Sequence, residues 1–170
     1  MKKTKIKLLQ TFTHIAALIP AVLLVWDYAH NNLTFNPIQE ATFRTGKTAL
    51  ILLLLSLSVT PIYIIFKFKQ VIPLRRPLGL YAFGYAALHG YIFFGLDYGF
   101  NWNYIKEAVF LKRYALVGFI TFLTLLPLAI TSTKSWQRKL KKYWKQLHRL
   151  AYVSGILAII HYVWLVKSDI

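Results

Sequence analysis

Apolar runs of about twenty residues recur along the chain, separated by short polar or basic connections. At about 1.5 Å per residue, each such run is long enough to cross the hydrocarbon core of a bilayer as a helix. The pattern predicts five spans, at 8–28, 46–66, 78–96, 114–130 and 147–167. The first begins after MKKTKIKLLQ, which resembles a signal peptide. The run is longer than an ordinary signal core and no small-residue cleavage site follows it, so it is expected to be a retained span. The connection 29–44 is polar and turn-rich, 97–112 reads as interfacial, and 131–146 is strongly basic with two tryptophans. The expected class is all-α: a polytopic membrane helix bundle forming one domain over 1–170, with no internal repeat and no low-complexity tract.

Composition agrees with the pattern. Of 170 residues, 57% are hydrophobic and 16% aromatic. The net charge of +16 would point to a nucleic-acid surface in a soluble protein. Here the cations sit between apolar runs, so membrane topology accounts for them and no nucleic-acid partner is expected. Fifteen of the 21 Lys and Arg fall in the N-terminus and the second and fourth connections, and six on the alternate side. The positive-inside rule therefore places the N-terminus in the cytoplasm and, after five spans, the C-terminus outside. With no cysteine, disulfides, thiolate catalysis, cysteine-ligated clusters and covalent haem attachment are excluded.

Histidines inside apolar segments are costly and mark functional sites. His89 and His161 lie 13 and 12 residues beyond the last basic residue before their spans, on helices expected to run in the same direction. They therefore stand at similar depth and form a candidate bis-histidine haem b pair. His148 begins the last span, roughly 20 Å along the helix axis from His161, and suits a second site nearer the cytoplasmic face. Thirteen residues do not return to one helix face. Either two haems lie on different sides of that helix, or Gly155 permits a local distortion. Arg75 aligns best with the level of His148 and, being permanently charged, suits a haem propionate better than the iron. His14 reads as packing, His30 as solvated, and Trp136 and Trp144 as a headgroup belt. Paired acids that would favour a transporter are missing from the spans, and nothing resembles a nucleotide-binding loop or a hydrolytic triad.

Several short motifs fall outside what composition constrains: NPIQ (36–39), TG (45–46), VTP (59–61), RRPLGLYAFGYAALH (75–89), LAITS (128–132), WKQLHRLAY (144–152) and HYVWLVK (161–167). In order and spacing the chain resembles the MsrQ (YedZ) family, within the ferric reductase-like transmembrane superfamily. That family usually has a sixth span after the last motif. The resemblance implies a b-type cytochrome of the bacterial inner membrane with one or two haems and an associated flavin, FMN. It would take electrons from the quinone pool or a cytosolic flavin reductase. It would deliver them to a periplasmic molybdopterin-dependent methionine-sulfoxide reductase that repairs proteins. His89, His148 and His161 match the family's haem histidines, and Arg75 opens its RR-x-L-G-L motif. On this reading the chain is an electron-transfer subunit, with no catalytic side chains of its own. The competing expectations are a stand-alone ferric reductase-like haem protein and a non-redox transporter or assembly factor.

Overall fold

The computed structural model describes residues 2–168. Among the described residues every regular element is helical: α1 (Lys2–Ala29), α2 (Pro37–Phe66), α3 (Arg75–Tyr91), α4 (Trp102–Leu111), α5 (Arg113–Ile130), α6 (Lys134–Leu140), α7 (Lys142–Leu147) and α8 (Leu150–Ser168). Four stretches are long and apolar enough to cross a membrane: Thr4–Ala29, Pro37–Phe66, Arg113–Ile130 and Lys142–Lys167. The expected third span is also helical, but it is divided. The 17 residues of α3 pass into a wider π-turn at Ile92–Asp97. The protein is a multi-pass membrane protein, with large apolar side chains such as Leu18, Val22, Ile64 and Ile156 facing outward.

The chain divides into two compact units, Met1–Asp97 and Tyr98–Ile170. In the first, α2 and α3 form the principal helix pair and α1 packs against both. Leu52, Leu53 and Val59 of α2 and Leu78, Ala82 and Tyr85 of α3 are buried. Pro20 removes one donor from the ladder of α1, as proline does in any helix interior. Beside it the Tyr85 hydroxyl enters the ladder, donating to the Ala17 carbonyl (2.7 Å) and accepting the Ala21 N–H (3.0 Å). An inserted side chain is one of the few recognised causes of a helix bend. One turn earlier on α3, Tyr81 meets His14 of α1 at 3.0 Å, edge-on.

Helix α2 starts at Pro37, well before the position that hydropathy alone predicts. The cause is a cap. The Asn36 side chain accepts the Gln39 N–H, and Pro37 occupies the first helical turn, where its missing donor costs nothing. The added turns carry Thr42 and Arg44. Arg44 pairs with Glu40 one turn back and with Asp27 at the end of α1.

In the second unit α5 packs along α8 and α4 packs on α5. The segment expected to be an interfacial connection contains α4, capped by Asn101, with Ile105, Ala108 and Val109 buried. The basic segment forms α6 and α7, and the last span is interrupted by a turn at His148 and Arg149 before α8 begins.

Candidate functional site

His89 lies near the end of α3, three residues before the π-turn that begins at Ile92. Its Nδ1 is 2.8 Å from the Thr42 carbonyl of α2. A carbonyl can only accept, so Nδ1 carries the proton and the ring's lone pair is on Nε2. The ring lies against Gly46, one helical turn beyond Thr42. A Cβ at position 46 would come within 2.9 Å of Nδ1 and 3.0 Å of Cε1, closer than real Cβ contacts allow.

His161 repeats this arrangement in the second unit. Its Nδ1 donates to the Tyr114 carbonyl of α5 (2.7 Å), and the ring lies on Gly118, one turn beyond Tyr114. A Cβ at 118 would come within 2.7 Å of Cε1 and 2.8 Å of Nδ1. In both cases 47 residues separate the histidine from its carbonyl partner. The two helix pairs thus carry the same local device: carbonyl, then glycine one turn later, on one helix and histidine on the other. The sequence reading finds no internal repeat, because the surrounding residues differ and only this spacing is shared.

His148 is held differently. Its ring stacks on Trp144 (centroids 4.0 Å apart), and Nε2 is 3.1 Å from the Thr131 hydroxyl. That hydroxyl gives its proton to the Pro127 carbonyl (2.6 Å), so it accepts from His148. His148 Nε2 is therefore protonated, the reverse of the tautomer at His89 and His161. Trp144 also donates its Nε1–H to the Thr131 carbonyl at 2.9 Å. Trp136 is exposed, with Lys139 over its ring.

Arg75 opens α3, where the helix dipole disfavours a cation. Its guanidinium donates to the Thr60 hydroxyl (3.3 Å), and its carbonyl accepts from Ser56 (2.8 Å). His30 is exposed and stacked on Trp26. An open cavity of about 430 Å³ beside Tyr114 is lined by Arg113, Tyr114, Trp164 and Lys167. Among the described residues no cluster of three or more His, Cys, Asp or Glu is placed to hold an ion.

The residues missed by sequence reasoning are Thr42, Gly46, Tyr114 and Gly118. Thr42 falls within the segment that the hydropathy pattern assigns to a connection. Gly46 marks the predicted start of a span and Gly118 lies inside one, but a lone helical glycine carries no chemistry of its own. The shared glycine-to-histidine interval is the signal that could have found them.

The family described as "Ferric reductase like transmembrane component" matches residues 45–159. That stretch contains Gly46, His89 and Gly118 and about the first half of α8, ending two residues before His161. The chain therefore belongs to the ferric reductase-like transmembrane components. Within that class it is similar to the "Protein-methionine-sulfoxide reductase heme-binding subunit MsrQ" of Xanthomonas axonopodis pv. citri (strain 306). The two are 45% identical over 167 residues, 95% of this chain and 77% of the relative. The protein of the same name from Xanthomonas oryzae pv. oryzae (strain MAFF 311018) is 42% identical over 173 residues, 98% of this chain and 79% of the relative. Identity of this extent makes the chain a member of the MsrQ family. No solved structure matches it.

Proposed function

We propose that this chain is a haem b-bearing electron-transfer subunit of the bacterial inner membrane, in which His89 and His161 would hold the haem. The observation that carries the reading is the shared tautomer. In each ring Nδ1–H is held by a backbone carbonyl, which directs the lone pair to Nε2, the nitrogen a haem iron would take. The names of the relatives point the same way.

The residues present fit such a group without thiolates or carboxylates. Two neutral imidazoles supply the ligands, and an anchored Nδ1–H raises the basicity of the ligating nitrogen. Arg113 and Lys167 beside the Tyr114 cavity supply cations for carboxylates, as Arg75 does at the start of α3. Haem, when bound, supplies one-electron transfer; the protein sets its ligation, dielectric and potential. His148 is the proposed ligand of a second haem nearer the cytoplasmic face, where ligation through Nε2 would require that nitrogen to give up its bond to Thr131. The proposed donor is the quinone pool or a cytosolic flavin reductase, and the proposed acceptor is a periplasmic molybdopterin-dependent methionine-sulfoxide reductase.

The test is a reduced-minus-oxidised visible spectrum of the purified protein, expressed with ample haem supply, with haem per polypeptide quantified as the pyridine haemochrome. Sharp b-type α and Soret bands are expected, together with reoxidation when the oxidised periplasmic reductase is added. A colourless protein would overturn the reading and leave a non-redox membrane role.

A further inference from the structure

Glycine is a poor helix former, yet Gly46 and Gly118 both stand inside helices, each under an imidazole. We infer that these two glycines are positioning residues, each forming a flat seat that holds a histidine ring against the backbone of the neighbouring helix. The inference rests on the haem reading above and deepens it.

Peptide geometry makes glycine the residue that such a seat needs. In an α-helix the carbonyl of one residue accepts from the N–H four residues later. The carbonyls that take His89 and His161 belong to Thr42 and Tyr114, and the residues four later are the two glycines. A carbonyl has two lone pairs and can serve the ladder and the imidazole together, provided that the ring comes close to the helix surface. Any Cβ on the glycine would occupy that approach, at 2.7 to 3.0 Å from ring atoms. The seat thus fixes three things at once: the distance between the two helices, the Nδ1–H tautomer and the direction of Nε2. Because the device occurs once in each unit, both proposed ligands are aimed by backbone.

Gly84 provides the control, because a Cβ added there meets nothing within 4 Å. Alanine is the better helix former, so any loss in Gly46→Ala or Gly118→Ala reads the seat rather than helix stability. The experiment uses the full chain purified with haem. Haem retention is measured by transfer to excess apomyoglobin, and ligand geometry by the EPR g-values of the ferric protein. Gly46→Ala and Gly118→Ala are expected to weaken retention about 10–100-fold and to shift the g-values, with Gly84→Ala unchanged.

If both seat variants match the wild type while His89→Ala and His161→Ala lose haem, the seat is wrong and the haem reading stands. Full haem content in both histidine variants would instead remove the haem reading, and the seat with it. Should the seat variants fail to accumulate, the wild-type protein decides. ENDOR after transfer to D₂O should find the Nδ1 protons of both ligands slow to exchange, and rapid exchange of both would overturn the inference.

Discussion

Tyr85 of α3 completes the hydrogen bonding of α1 through Ala17: its hydroxyl donates to the Ala17 carbonyl at 2.7 Å and accepts the Ala21 N–H at 3.0 Å. The side chain is buried, 6% exposed, so water does not replace it. Tyr85→Phe keeps the ring and deletes the bridge, so the Ala21 N–H and Ala17 carbonyl lose the hydroxyl and must close the helix turn directly or go unpaired. The expected cost is about 1–3 kcal/mol. It should appear as a lower denaturation midpoint of the detergent-solubilised protein, and an unchanged midpoint would show that the bridge contributes nothing.

The proposal that His89 and His161 would hold one haem predicts that the two do not act independently. Each single alanine variant is expected to lose the same haem, and the double variant no more than either alone, because residues acting as a unit are non-additive. Haem-to-protein ratios of the three variants decide this. Two losses that add would assign the histidines to separate haems.

Thr131 joins three groups through one residue. Its hydroxyl donates to Pro127 and accepts from His148, and its carbonyl accepts from Trp144. Thr131→Val preserves the shape and removes the hydroxyl, at an expected cost of about 1–3 kcal/mol for the groups left unsatisfied. The spectrum assigned to the His89 and His161 haem should be unaltered in this variant, and in His148→Ala any second haem alone should disappear. A loss of both haems in His148→Ala would contradict the separate roles given to these residues.

The absence of cysteine makes topology directly measurable, since each introduced cysteine is the sole thiol. Lys5→Cys is expected to react with a membrane-impermeant maleimide only after cells are opened. Phe35→Cys, at a fully exposed position in the connection between α1 and α2, should react in intact cells. The opposite pattern would invert the orientation drawn from the distribution of Lys and Arg.

The family motifs acquire physical meanings once the contacts are known. NPIQ caps α2 through Asn36, TG supplies Gly46, VTP supplies the Thr60 hydroxyl that meets Arg75, and LAITS supplies Thr131. Hydropathy finds the spans because bilayer burial needs long apolar runs, whatever their partners. It places the start of α2 too late because Asn36 and Pro37, rather than apolar residues, begin that helix. Hydropathy is equally blind to the turn at His148 and Arg149, so reasoning from an unbroken helix between His148 and His161 does not apply.

By itself the sequence determined the helical membrane class, the charge asymmetry and the histidines that intramembrane cost singles out, because each depends only on residue type and spacing. Tertiary structure decided the tautomers. Which nitrogen of His89, His148 or His161 carries a proton depends on the acceptor opposite, a carbonyl in two cases and a hydroxyl already spent in the third. Those acceptors stand 47, 47 and 17 residues away in the chain, and only helix packing brings them within hydrogen-bonding distance.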